Sequence, residues 1–406
     1  MKATRAIARI GSLACATLLL ALYPAELRSQ GLLVNCDTGG TIKGALVSLK
    51  PGDTLAVSGV CNEIVSIEAE VSRITLDGHG TARVQSTNPA MNVISIRGRD
   101  ITVKGFTISG GNIGIAFQRG ATGVADGNDI RDNALDGILV APESSAVIIN
   151  NTIENNAYGI TVDENSSARI GWQVPTTLGL PNTIQNNTVN GILVVHNSSA
   201  RIIGATIRNN GGDGIRIHRA SHADISDNNI SGNAGSAIAV SENSGVNLDL
   251  GRIQAVARPN RTDTSANNGG FGIACSSGSY VSGNLGPLTG AQGATTVDNT
   301  CADGTGPLVN SLAFDRSNVS PGAAVVATFS GTGLSGQTYF DIRFRAPGST
   351  TEQEAANWQQ GTSASHAVAA SIQAGTYIVT AVRAHRDAGE HTGPYIPVSA
   401  SLTVGP

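Results

Sequence analysis

One hydrophobic phrase recurs along the middle of the chain. Its anchors are Gly-Ile pairs beginning at Gly114, Gly137, Gly159, Gly191 and Gly214, with Ala237-Ile238 and Gly272-Ile273 as variants, spaced 23, 22, 32, 23, 23 and 35 residues apart. The unit is therefore 22 or 23 residues, with two insertions. Within a unit the apolar residues alternate as strands require: Ile138, Val140, Ala146 and Ile148 point inward in one, Ile160, Val162, Ala168 and Ile170 in the next. A third short segment ends at an isolated isoleucine, at Ile130, Ile153, Ile184, Ile207 and Ile230. Self-similarity at this period is the mark of a solenoid. Three short strands per turn, joined by polar turns, describe a right-handed parallel β-helix. A leucine-rich repeat has a similar period but needs a regular leucine framework, which is absent.

The polar positions keep the same register. Asn128, Asn151, Asn182 and Asn228 stand two residues before the third-segment isoleucine, and Asn133, Asn156, Asn187, Asn210 and Asn233 stand three after it. Stacked coils bring such side chains to roughly 4.8 Å. Each amide can then bond to its neighbour and satisfy turn groups that burial would otherwise leave unpaired. In a disordered Asn-rich tract the isoleucines would have no reason to stay in phase.

From residue 32 to 305 the chain resembles the right-handed parallel β-helix repeat proteins of the pectin lyase-like superfamily. The opening "GGTIKGALVSLKPGDTLAVSGVCNEIVSI" followed by "ITLDGHG" is similar to the way that family begins, with a short helix over the open end, a Gly-Asp turn and then the first coils. The cap has a physical purpose, since an uncovered first coil leaves a strand edge unpaired.

Composition shifts near Pro307. Phe314, Phe329, Tyr339, Phe340, Phe344, Trp358, Tyr377 and Tyr395 fall in the last hundred residues, more aromatics than the repeats contain. Alternating runs such as "AVVATFSG", "TYFDIRFR" and "GTYIVTAVRAH" between Gly and Pro turns predict a β-sandwich of about seven strands over 307–406. It resembles bacterial immunoglobulin-like domains. The whole chain is thus expected to be all-β.

At the other end, Lys2, Arg5 and Arg9 precede the apolar run "IGSLACATLLLALY", too short for a membrane span and placed as an export signal is, so residues 1–29 read as a cleaved secretory peptide. No later segment is long and apolar enough to span a bilayer. Secretion to the periplasm, the medium or the cell surface is expected. Four cysteines remain, and their two close pairs predict the disulfides Cys36 with Cys61 and Cys275 with Cys301, near the two ends of the repeated region. The chain carries 26 basic and 30 acidic residues; without Lys2, Arg5, Arg9, Arg28 and Glu26 it holds 22 against 29, a net charge of −7. That balance argues against a nucleic-acid partner.

Candidate chemistry follows from columns of residues that point outward on a face of the solenoid. Five past each anchor the column runs Arg119, Pro142, Glu164, His196, Arg219 and Glu242; ten past it runs Val124, Val147, Arg169, Arg201, Asp224 and Asn247. Both insertions leave the same strand, after Ile170 and after Leu248, three coils or roughly 14 Å apart. They are expected to wall a slot floored by His196, Arg201, Arg216, His218, Arg219, His222 and Asp224. Loops raised on a rigid scaffold are where binding collects. Arg201, Arg216 and Arg219 suit carboxylate or sulfate groups, with His222 and Asp224 beside them; Glu164, His196 and His218 are candidate proton carriers, and Trp172 could stack on a sugar ring. The competing reading is a solvated ladder in which Glu164, His196, Arg219 and Glu242 pair by alternation.

Family motifs do not settle the chemistry. Gly78, His79 and Gly80 match only the tripeptide of polygalacturonase-like proteins, and "YGITVDE" from Tyr158 lacks the Pro and His of alginate epimerase-like ones. A pectate lyase-like calcium site needs acidic groups on one face, whereas Asp126, Asp129, Asp132 and Asp136 are divided among turns and strand ends, so no cofactor is expected, with calcium as the alternative. The expected partner is a polysaccharide or cell-surface glycan, bound or processed; a catalytic version would be a lyase, hydrolase or epimerase. The alternative is a structural or adhesive surface protein whose coils form a stiff rod.

Overall fold

The computed structural model describes residues 32–171, 181–248, 259–263, 265–297, 301–306, 308–332, 338–355, 363–367, 373–385 and 395–406. The export signal read over 1–29 lies outside them, as do residues 172–180 and 249–258 of the two insertions. The repeats wind into a parallel β-solenoid. Its first face is a sheet of ten strands from Val65–Ile67 to Gly293–Val297, and its second and third faces belong to a sheet of eighteen strands.

Register is kept coil after coil. On the first face Ile138 pairs with Ile160, Ile160 with Ile192, Ile192 with Ile215, and Ile215 with Ile238. All five are fully buried, so the core is a stack of like side chains in a cylinder. Both asparagine columns form ladders in which each Nδ2 donates to Oδ1 of the next coil. The second runs unbroken from Asn133 through Asn156, Asn187, Asn210 and Asn233 to Asn268, at 2.8 to 3.2 Å per step. The first is interrupted at Ala205 and resumes from Asn228 to Asn260, beyond the second insertion.

A ladder of serines completes the coil. Ser144, Ser166, Ser198, Ser221, Ser244 and Ser279 are buried, and from Ser144 onward each backbone N–H donates to Oγ of the next at 3.1 to 3.2 Å. The anchor glycines answer a different need. A Cβ on Gly159 would stand 2.5 Å from the carbonyl oxygen of Gly191 and 2.5 Å from Cγ2 of Ile184, so close approach between coils excludes a side chain.

At the start the helix Ile42–Leu46 buries Ile42 and Leu46 over the first coil. Thr41 caps it by accepting from the Gly44 N–H, and the Glu63 carboxylate accepts from the N–H groups of Ile42 and Lys43 at 2.7 and 3.0 Å. The disulfides Cys36–Cys61 and Cys275–Cys301 are both formed.

After the last coil the described residues form two further sheets of three and five strands, antiparallel apart from the pairing of Asn318–Val319 with the last strand. They share one core, Val309, Leu312, Ala327 and Phe329 from one sheet against Phe340, Ile342, Val379 and Val382 from the other. Phe329 and Phe340 stack at its centre, 3.8 Å between centroids.

Candidate functional site

The column five past each anchor stands on a corner of the solenoid, not on a strand face as the sequence suggested. Its members share a tight turn of left-handed backbone with the residue that follows: Glu164 and Asn165, His196 and Asn197, Arg219 and Ala220, and Glu242 and Asn243 all have φ between 51° and 61°. Asparagine at the second position suits this conformation. The serine ladder begins at the next residue and locks each corner onto its neighbour.

Along this corner the ionisable groups bond to one another. His196 Nδ1 lies 2.6 Å from Asp163 Oδ1, and its Nε2 lies 2.7 Å from Nη1 of Arg219. A guanidinium only donates, so Nε2 accepts and Nδ1 carries the proton toward Asp163. Both ring nitrogens are engaged. Arg219 Nε continues to Glu242 at 3.4 Å, and His218 Nδ1 lies 3.8 Å from the same carboxylate. Burial holds the His218 pKa below the ordinary histidine value, Arg216 adds to the effect, and Glu242 opposes it. Arg216, outward on the first face, reaches Asp213 at 3.2 Å. Of the pairing by alternation, His196 with Arg219 and Arg219 with Glu242 are formed; on His196 the place expected for Glu164 is taken by Asp163, one residue earlier.

A buried carboxyl lies on the same side of the molecule. Asp136 is 3% exposed and accepts from Thr161 Oγ1 at 2.5 Å. Burial pushes its pKa up to about 6; the Thr161 bond opposes the rise and the Asp163 charge adds to it.

The second face differs. Val124, Val147, Arg169, Arg201, Asp224 and Asn247 pair in register, as the column ten past each anchor predicts. Arg169 and Arg201 are direct neighbours, and among the described residues neither has an ion-pair partner. Nε and Nη2 of Arg201 are shielded from solvent and lack an acceptor. Two residues earlier runs a column of Ser145, Ser167, Ser199, His222, Gly245 and Tyr280. There His222 Nε2 lies 3.4 Å from Asp224, and Tyr280 Oη reaches across Gly245 to His222 Nδ1 at 2.9 Å.

The candidates therefore separate. Glu164, His196, Arg219 and His218 gather at the corner; Arg201, His222 and Asp224 gather on the second face; Arg216 belongs to the first. Trp172 and the greater part of both expected walls lie outside the described residues. Tyr280 was not expected from the sequence, nor was Asp163 as the partner of His196. A column eight past each anchor carries the signal for Tyr280. The one group of described residues with metal-ligand spacing, Cys36, Cys61 and Glu63, is a disulfide beside a helix cap and offers no ligand set. Among the described residues no helix is long and apolar enough to cross a membrane.

A family model described as right handed beta helix region matches residues 30–171 and 181–307. No curated protein matches the sequence. Among solved structures the chain is similar to an alginate lyase from Paenibacillus sp. str. FPU-7, at 17% identity and TM-score 0.33 over 67% of this chain and 99% of that one. It is similar also to the A-module of a mannuronan C-5 epimerase from Azotobacter vinelandii, at 13% identity and TM-score 0.38 over 67% and 99%. A tailspike protein of Escherichia coli O157:H7 bacteriophage CAB120 matches at 12% identity and TM-score 0.32 over 83% of this chain and 61% of that one. The family match carries the assignment; likenesses this distant carry none of the chemistry.

Proposed function

The chain belongs to the right handed beta helix family, and from that premise we propose that it is an exported protein that binds an anionic polysaccharide on the second face of its solenoid, through Arg169 and Arg201. The observation that carries this reading is Arg201, whose Nε and Nη2 are shielded without an acceptor and which stands in register beside Arg169, an arginine with no ion-pair partner among the described residues. Like charges on paired strands repel, and a shielded donor without an acceptor is costly. A carboxylate or sulfate placed between the two removes both penalties through charge-assisted bonds that suit the planar guanidinium. Of the three arginines expected for this task, Arg216 and Arg219 already have Asp213, His196 and Glu242 as partners. They belong to a bonded scaffold, and Arg169 takes their place.

Export rests on residues 1–29 and on the two disulfides, which suit an oxidising compartment. Residues 307–406 are read as an immunoglobulin-like module that spaces or presents the solenoid. No turnover step is assigned, because His196 has no free nitrogen and His218 is half-buried beside two arginines. The second reading, a non-catalytic adhesive rod, draws on the continuous pairing along the corner.

Affinity electrophoresis in gels containing polyuronate, sulfated or neutral polysaccharide separates the two. The wild type is expected to be retarded by the acidic polymers alone, and an Arg169→Ala, Arg201→Ala variant to lose at least tenfold in affinity, with Arg216→Ala nearly unchanged. Equal retardation of wild type and double variant removes the proposal.

A further inference from the structure

We infer that Tyr280, laid flat over Gly245 and tied to His222, is a stacking platform for a pyranose ring of the bound glycan. The inference rests on the glycan-binding reading and adds a subsite that recognises sugar by shape instead of charge. Outward residues in this column are small, serine or glycine, apart from His222 and Tyr280, which stand two coils apart with Gly245 between them. A Cβ built on Gly245 would meet Cε1 and Cζ of Tyr280 equally closely, with Oη farther away. That is the pattern of a point above the ring, since a point at the ring edge beside Cζ would be nearest to the hydroxyl.

One face of the phenol thus lies on the glycine backbone and the other is turned away from it. The residue is 43% exposed, more than any phenylalanine or other tyrosine among the described residues of the solenoid. Its hydroxyl is held by His222 Nδ1, and the two rings lie 29° from coplanar with centroids 6.0 Å apart. Asp224 steadies the far nitrogen of the histidine. Oη–H donating to Nδ1, with Nε2–H donating to Asp224, satisfies all three groups.

The result is a nearly flat aromatic strip along the solenoid axis, fixed before any ligand arrives. A rigid ring with one polar end and one bare face offers a large apolar area at little entropic cost. Its complement is a pyranose with an unbroken face of C–H bonds, in a chain whose acid groups reach Arg201 and Arg169 a few coils earlier. An epimer with an axial hydroxyl on that face is excluded.

Isothermal titration of the full chain with acidic oligosaccharides tests this, with far-UV circular dichroism to verify the fold of each variant. Tyr280→Ala is expected to weaken binding at least tenfold, and Tyr280→Phe to stay within about threefold of wild type because the ring remains. Gly245→Ser, compatible with a column that already holds Ser199, displaces the ring and is expected to match Tyr280→Ala. In the wild-type complex the ring current shifts the sugar C–H protons upfield, a signature lost in Tyr280→Ala and kept in Tyr280→Phe. Unchanged affinity in Tyr280→Ala overturns the platform, and so does a Phe variant as weak as the Ala variant, which would make the hydroxyl the active part. If Arg201→Ala loses affinity while both Tyr280 variants bind normally, the platform alone fails; if the wild type binds no acidic glycan, both proposals fail.

Discussion

Two aspartates, one in the solenoid and one in the sheets that follow it, are almost completely buried and have opposite surroundings. Asp341, fully buried, accepts from Arg383 Nε at 2.7 Å and lies 3.2 Å from His385 Nε2, partners 42 and 44 residues away. Asp136 is 3% exposed and has the neutral hydroxyl of Thr161. The difference follows from repetition. A coil position sees nearly the same position above and below, so the buried polar group that works there must pair with itself. Asparagine does, carrying donor and acceptor on one side chain, and serine does with a backbone N–H. A carboxylate cannot stack on its own kind. The non-repeating sheets are free to bring an arginine and a histidine to one carboxylate, once.

The largest test of that contrast removes the partner in each region. Asp341→Ala removes the carboxylate that holds Arg383 Nε and His385 Nε2, leaving Arg383 with Glu354 alone at 3.3 Å, and is expected to cost about 3 kcal/mol. Asn210→Ala strands the N–H of Asn187 and leaves its Nδ2 only the Ile153 carbonyl, and is expected to cost on the order of 3 kcal/mol. Urea unfolding combined with mass-mapped proteolysis checks both. Asp341→Ala should open the chain after residue 307 and spare the coils, whereas Asn210→Ala should open the solenoid around its own coil. Loss of both regions together in either variant would show that they are one cooperative unit.

The same contrast explains what could be read from the sequence. The asparagine ladders were legible because one residue type recurs with the strand period, and two disulfides were legible from paired spacing. Serine is so common in turns that its recurrence carries no distinct signal for a ladder. The corner was mistaken for a face because alternation gives in and out but not where the backbone becomes left-handed, and so Glu164 was favoured over its neighbour Asp163. Tyr280 comes after the longer insertion, where its place in a column depends on counting from Gly272. The Arg383, Asp341 and His385 cluster had no sequence signal, since nothing local connects residues so far apart.

A second test applies one substitution to both aspartates and expects opposite signs. Asp136 has a folded pKa of about 6 against 3.8 for the free group. The native state therefore keeps a proton that the unfolded chain has released, and stability falls as pH rises from about 4 to about 6 and stays lower above that. Two pKa units correspond to about 3 kcal/mol. Asp136→Asn, which keeps an acceptor for Thr161, is expected to raise the melting temperature at pH 7.5 and leave it unchanged at pH 3.5. Asp341→Asn should lower it at pH 7.5, because Arg383 loses the nearer of its two carboxylates and keeps only Glu354. His218 acts in the reverse sense from Asp136: its folded pKa lies below the free value of 6.5, so it removes stability as pH falls through that value. An Asp136→Asn, His218→Gln variant should then have a flatter profile between pH 4 and 7 than the wild type.

The smallest test concerns glycines, which the two regions use for different reasons. Gly159 has no left-handed backbone, but an added Cβ would stand 2.5 Å from the Gly191 carbonyl oxygen and 3.1 Å from Nδ2 of Asn187. Gly348 has φ of +71° and nothing within 4 Å of an added Cβ. Gly159→Ala must push two coils apart, at about 1–3 kcal/mol, whereas Gly348→Ala meets only the local penalty of a left-handed residue, about 1 kcal/mol. Ala237 occupies the anchor position with full burial, so a coil can open for a methyl group, but it does so where the interval to the next anchor is 35 residues and the stacking is already interrupted by an insertion. The decisive comparison is therefore Gly159→Ala against Gly214→Ala, the anchor that immediately precedes Ala237. If coil spacing is what forbids the side chain, Gly214→Ala should cost less, because the carbonyl it would face stands at 2.8 Å instead of 2.5 Å; equal costs would place the constraint within the coil, on the isoleucine each anchor covers.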